Sequence, residues 1–167
     1  TGLELTPARR EEIWTALDAL AGSPSRQRTL TVFRALVQDP AVAAALEPFT
    51  LQGPHGTLLD GAADALEPRR FDTFELETLM GAPSAVGPTL SALFHLLERD
   101  FDGRPTLLVL DEAWLFLDET RFAARIREWL KTLRKRRVAV IFATQSLDDV
   151  AASSIAATLI ESCPTQV

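Results

Sequence analysis

Two adjacent carboxylates, Asp111 and Glu112, close the apolar run Leu107-Leu108-Val109-Leu110. Such a run reads as a strand buried on both faces, as in a parallel sheet. Its carboxyl end is where open α/β sheets hold their ligands. A hydrophobic strand ending in two acids is the Walker B pattern of nucleotide hydrolases. In that pattern Asp111 positions Mg²⁺, usually through a bound water, and Glu112 orients and polarises the attacking water. The plainer reading is a solvated strand end, and the residues downstream decide between the two.

Downstream comes a second apolar run, Val138-Ala139-Val140-Ile141-Phe142-Ala143, ending in Thr144-Gln145-Ser146. Between the runs, residues 119–136 carry Phe122, Ile126, Trp129, Leu130 and Leu133 at the spacing of one helical face. Strand, helix, strand at this spacing predicts a βαβ unit. If the two strands are neighbours, Gln145 stands beside Asp111 and Glu112 on one sheet edge. A neutral amide there can sense a γ-phosphate or hold the lytic water without competing for Mg²⁺. The alternative role for Gln145 is to help cap the helix that begins near Ser146.

Taken together, Leu108-Val109-Leu110-Asp111-Glu112-Ala113-Trp114, Trp129-Leu130-Lys131-Thr132-Leu133-Arg134-Lys135, Ala143-Thr144-Gln145-Ser146 and Ile160-Glu161-Ser162 resemble the TrbE/CagE conjugal-transfer ATPases. The combination in this order carries the resemblance, which is strongest over 104–167. It is looser over 3–102, where Leu51-Gln52-Gly53-Pro54-His55-Gly56 and Phe74-Glu75-Leu76 fit that family's inserted helical region. The resemblance implies a RecA-like motor related to FtsK and HerA, with ATP and Mg²⁺ as cofactors and ATP at a subunit boundary of a hexamer. It implies type IV secretion components as partners, DNA or protein as cargo, and a place at the cytoplasmic face of the bacterial inner membrane. The phosphate cradle Gly-x-x-x-x-Gly-Lys-Ser/Thr is absent from this sequence; Lys131 and Lys135 are the only lysines and neither follows a glycine. In the family the cradle lies upstream. The chain is therefore expected to be a piece of a larger ATPase that does not hydrolyse ATP alone. Pro164 to Val167 reads as the beginning of a further strand.

The composition allows one domain with a sizeable core, because 47% of the 167 residues are apolar. No apolar run approaches the length of a membrane span, and no secretory signal opens the sequence. The single cysteine, Cys163, excludes an internal disulfide and reads as a buried structural thiol. His55 and His95 are too isolated for a zinc site. The net charge of −6 lacks the overall basic footprint of a nucleic-acid binder. The basic residues are unevenly placed, however: Arg121, Arg125, Arg127, Lys131, Arg134, Lys135, Arg136 and Arg137 face only Glu128 in their stretch. Cations favour a helix C-terminus, which accounts for most of them as structural or interface residues. In hexameric motors a subunit's arginine reaches its neighbour's γ-phosphate, and Arg134 and Lys135, which match the family's LKTLRK, are the candidates for such a contact. A basic helix could also face DNA or a coupling partner.

The rest of the chain predicts an α-helical lobe over 1–68 and a parallel α/β part over 69–167, which by the resemblance is a partial RecA-like parallel sheet with flanking helices, an α/β fold. A first helix starts with Thr6 as N-cap and Pro7 at its first position, puts Ile13, Leu17, Leu20 and Ala21 inward, and ends at Gly22 and Pro24. A second runs from about Thr29 to Gln38. Asp39-Pro40 starts a short third, and a turn-rich loop follows it. Phe71 to Leu76 alternates apolar and polar, which predicts a strand re-entering the sheet. Ser84 to Asp100 is helical. After Gln145, Ser146 caps a helix holding Val150, Ile155, Leu159 and Ile160, with Asp148 and Asp149 in its first turn and a break at Ser153-Ser154. Trp114 and Trp129 could stack on bases, but packing is the plainer role. Asp60 and Asp64 read as turn and cap residues. Besides the motor, two other functions fit: a non-hydrolysing module that binds secretion partners through the helical lobe, and a DNA-pumping motor of the FtsK/HerA kind.

Overall fold

The computed structural model describes residues 3–63, 70–112 and 120–165. Trp114, Asp64, Gln166 and Val167, and the side chains of Arg121 and Asp149, lie outside the described residues, as does the 1–68/69–167 boundary proper. The chain divides into two compact units, Thr1–Thr89 and Leu90–Val167, with the division falling within one long helix.

The first unit is helical. Helix α1 (Pro7–Ala21) is capped by the Thr6 hydroxyl, which accepts from Arg9 N, and Gly22 closes it. Helix α2 (Leu30–Leu36) is capped in the same way by Thr29, accepting from Val32 N. Helix α3 (Pro40–Leu46) has Asp39 as N-cap, its carboxylate accepting from Ala41 N and Val42 N. These caps satisfy amides that have no partner inside the helix. Ala16, Phe33, Val37 and Val42 form the core, with Leu3, Ile13, Leu20, Leu30 and Leu46 packed against it. Leu17 and Ala21, expected inward, are exposed: Ala16 takes the inward position because Ile13, Ala16 and Leu20 share the stripe that α2 and α3 cover. The Gly/Pro loop folds back so closely that a Cβ on Gly56 would stand 2.0 Å from the Thr50 carbonyl oxygen, and the chain then makes the short helix α4 (Gly56–Leu59).

The expected strand at Phe71–Leu76 is not formed. These residues are irregular, Phe71 is 84% exposed, and they lead into the short helix α5 (Glu77–Met80). Alternation shows that a segment could bury one face, but a strand also needs an edge to pair with, and among the described residues this segment pairs with none. Helix α6 (Pro83–Asp100) follows.

In the second unit β1 (Thr106–Asp111) pairs in parallel with β2 (Val138–Ala143), in a register running from Thr106↔Val138 to Asp111↔Ala143. Helix α7 (Thr120–Thr132) connects them. It stops before the expected Arg136, because Leu133–Arg136 tightens into a 3-10 turn and Arg137 adopts a left-handed φ of 61°. Aromatic packing joins α7 to the C-terminal half of α6. Phe94 stacks on Phe122 at 4.9 Å between ring centres and lies 4.4 Å from the ring of Trp129; Phe101 meets Trp129 edge-on. Trp129 is thus a packing residue. Helices α8 (Leu147–Ala152) and α9 (Ala156–Ser162) are separated at the expected serine pair, and α9 lies against α7. Ile155 and Leu159 are buried, but Ile160, expected with them, is 60% exposed. Cys163–Thr165 is irregular rather than strand.

Nor is β1 buried on both faces. Leu108 and Leu110 are half-buried, whereas Leu107 and Val109 are 59% and 54% exposed; Ile141, the partner of Val109 in register, is 49% exposed. One face of the two-strand sheet is apolar and open.

Two outcomes test this packing. Ile126 is 1% exposed, so Ile126→Ala should lower the unfolding free energy by about 2–5 kcal/mol in denaturant titration. Asp39 is held below its ordinary carboxyl pKa by the Arg9 guanidinium (Nε to Oδ2, 2.7 Å) and by the amides of Val42 and Ala41, against the opposing effect of desolvation. A depressed folded pKa contributes stability that is present above the unfolded value of about 3.9 and lost as pH falls through the folded value. The Asp39→Asn variant, which keeps a capping oxygen, should therefore show a shallower loss of stability than wild type as pH falls below about 4.

Candidate functional site: the carboxyl rim of the sheet

The ladder runs one step past its last paired residues: Glu112 N donates to the Ala143 carbonyl at 3.0 Å. Glu112 has φ 51°, one of two non-glycine residues with positive φ among those described. The chain therefore turns off the sheet at the second acid. Asp111 is exposed and Glu112 half-buried. On the neighbouring strand, the chain turns two residues beyond Ala143. Thr144 Oγ1 donates to the Ser146 carbonyl at 3.1 Å and accepts from Ser146 N at 3.1 Å. This small ring leaves Gln145 exposed at its tip. Because the strands are parallel and in register, Asp111, Glu112 and Gln145 share one rim. α8 leaves from the same rim, with Asp148 exposed near its start.

Arg134 and Lys135 are not part of this constellation. Both are exposed in the 3-10 turn at the amino end of β2, and a strand of this length spans about 17 Å. They stand at the opposite rim, beyond reach of Asp111 and Glu112 in the same copy. The structure also sorts the basic stretch. Arg125 Nη1 donates to Glu98 Oε1 at 3.2 Å and pairs with Glu128. Arg127 Nη2 donates to the Ser154 carbonyl at 2.9 Å, and Arg136 Nη1 to the Glu98 carbonyl at 3.1 Å. Lys131, Arg134, Lys135 and Arg137 are exposed and have no ion-pair partner among the described residues.

Glu98 was not legible as important from its place among Leu96, Leu97 and Arg99. Its carboxylate accepts from the Trp129 indole N–H as well as from Arg125, and its carbonyl holds Arg136. It thereby ties α6 to both ends of the segment that leads into β2. Only the tertiary fold brings these donors together. Cys163 is half-buried, and burial pushes its thiol pKa up, which disfavours the nucleophilic thiolate.

Open α/β sheets hold their ligands beyond the carboxyl ends of their strands, and that is the rim on which this βαβ unit carries two carboxylates and an amide. No family model matches the chain. Among curated relatives it is 44% identical over 99% of its length to a probable conjugal transfer protein TrbE of Sinorhizobium fredii. It is 31% identical over 99% of its length to the type IV secretion system protein virB4 of Bartonella henselae, and 44% identical over 45% of its length to the type IV secretion system protein CagE of Helicobacter pylori. The chain belongs to this TrbE/VirB4/CagE family of conjugal transfer and type IV secretion proteins. It spans 25% of the TrbE relative's length and 22% of the virB4 relative's.

The positive φ of Glu112 gives a test of the rim. Glycine there would relieve about 1–2 kcal/mol of backbone strain against about 0.4–1 kcal/mol of added unfolded-chain entropy. Glu112→Gly should therefore melt at the same temperature as Glu112→Ala or slightly above it, in a thermal scan, since both remove the side chain and only glycine relieves the strain.

Proposed function

We propose that the full-length protein carrying this chain is an ATP hydrolase that powers conjugative transfer or type IV secretion, and that Asp111, Glu112 and Gln145 belong to its nucleotide site. The observation that carries this reading is the shared rim: an amide and two acids, 33 positions apart in sequence at Glu112 and Gln145, stand at the ends of adjacent parallel strands. The donor set suits Mg²⁺, a hard cation that takes oxygen ligands and keeps several waters. When bound, Mg²⁺ and ATP supply the polarised phosphoryl group. Asp111, exposed at the strand end, would hold the ion's water shell. Glu112, half-buried where the chain turns off the sheet, would accept a proton from the attacking water. Gln145, at the tip of its Thr144–Ser146 ring, would donate its amide N–H to a γ-phosphate oxygen or hold the attacking water, without adding charge.

β1 and β2 are then neighbouring strands of a larger RecA-like parallel sheet. The open apolar face of Leu107, Val109 and Ile141 supports this, because such a face is normally covered by a helix. The chain by itself, with no Gly-x-x-x-x-Gly-Lys-Ser/Thr, is not expected to turn over ATP. Work with other secretion components, at the cytoplasmic face of the inner membrane, belongs to the same reading; the relatives are named for conjugal transfer and type IV secretion. No described helix is long and apolar enough to cross a membrane. The opposite-rim position of Arg134 and Lys135 fits a site completed between copies, as in a hexamer.

In the full-length protein, Glu112→Gln should keep ATP binding and lower turnover by about 10²-fold or more. Turnover equal to wild type would remove Glu112 from the role of base.

A further inference from the structure

Helix α6 runs through the division between the two units, which falls between Thr89 and Leu90. Each end of the helix is fastened within its own unit. In the first unit, Ser84 Oγ in the opening turn is hydrogen-bonded to His55 Nε2 at 2.9 Å, and the His55 ring packs against Phe49. In the second unit, Phe94 packs on Phe122 and Trp129, and Glu98 accepts from Arg125 and the indole N–H while its carbonyl holds Arg136. Between these anchors stand Gly87 and Pro88, the two residue types least suited to a helix interior. Pro88 lies well past the first turn, where proline is tolerated. It has no N–H for the Ser84 carbonyl, and its ring crowds that carbonyl.

We propose that α6 is hinged at Gly87-Pro88, so that the helical unit and the βαβ unit move as separate bodies while each keeps its own anchors. Local packing does not account for the pair. A Cβ on Gly87 would meet nothing within 4 Å, its φ is not positive, and Pro88 is exposed. Alanine at both positions would therefore fit and would make a stronger helix. What the pair supplies is a point where the helix yields: proline is the commonest cause of a sharp kink, and domain hinges concentrate their dihedral change in a few residues at such points. One residue further on, Thr89 Oγ1 is buried with no hydrogen-bond partner among the described residues. A helix that left this hydroxyl orphaned in every arrangement would be unusual, and a change of bend at Pro88 moves it relative to the preceding turn. Bending there leaves the β1–β2 register untouched, because Glu98 and the aromatic anchors lie beyond the joint. The hinge does not depend on the proposed nucleotide site, and it is read without nucleotide.

In the full-length protein, on a background with Cys163→Ser and no other thiol, spin labels at Gln38→Cys and Ala124→Cys report the distance between the units, both positions being exposed. The labelled protein is diluted into unlabelled protein so that only distances within one copy are read. Combining Gly87→Ala with Pro88→Ala should narrow the distance distribution at least about twofold, and Gly87→Ala alone should narrow it in part. His95→Ala, which strengthens the same helix beyond the joint at an exposed position, should leave the width as it was. In hydrogen exchange, the amides of residues 89–92 should exchange faster than those of 94–100 in wild type, and should slow at least about fivefold in the double variant, the factor that the glycine-to-alanine difference in helix propensity gives. Equal widths in wild type and the double variant would overturn the hinge. So would equal narrowing by His95→Ala, or wild-type amides at 89–92 as well protected as those of 94–100.

Discussion

Two parallel strands cannot be joined by a hairpin, so the chain leaving β1 at Asp111 must travel back along the sheet before it enters β2 at Val138. This crossover governs the placement of the charged groups at both rims of the sheet. It sends the carboxyl ends of both strands to one rim, the rim of Asp111, Glu112 and Gln145. It also forces the connection's own end, with Arg134 to Arg137, onto the other rim. The separation of acid from base follows from parallel pairing rather than from local sequence.

The crossover is held by packing and by one carboxylate. Phe122, Ile126 and Trp129 on α7 and Leu133 in the turn after it are buried, and Phe94, itself stacked on Phe122, and Phe101 pack against the indole. Glu98 then receives the indole N–H and the Arg125 guanidinium, and its carbonyl receives Arg136. A carboxylate with charge-assisted and neutral donors in a partly buried setting fixes direction as well as distance. The register of β2 against β1 starts from this anchor, because the Arg137 carbonyl accepts from Thr106 N at 3.1 Å. The two ends of the sheet carry the two non-glycine residues of positive φ among those described, Arg137 and Glu112, and each marks a corner where a charged side chain stands in place of glycine.

Local signals were legible where the controlling interaction is itself local. Thr6-Pro7 and Asp39-Pro40 announce helix starts because a capping oxygen and a proline act within a few residues. Phe122, Ile126, Trp129 and Leu133 could be placed on one face because helical period alone aligns them. The same logic failed for Phe71–Leu76, for Leu17 and for Ile160. Each pattern states only a capacity to be buried; whether another element arrives to bury it is a tertiary matter. The reading of β1 as doubly buried failed for the same reason, since Leu107 and Val109 have no covering layer here.

From the sequence alone came the identity of the chemistry: two carboxylates after an apolar run, an amide after another, and the family to which their order points. These are covalent facts about residue type and spacing, and they survive any folding. Only the tertiary structure decided that the amide and the acids share a rim and that the basic turn stands apart from them. It also decided that Glu98 binds the crossover together. Those are distances between residues remote along the chain, and strand direction and side-chain packing determine them.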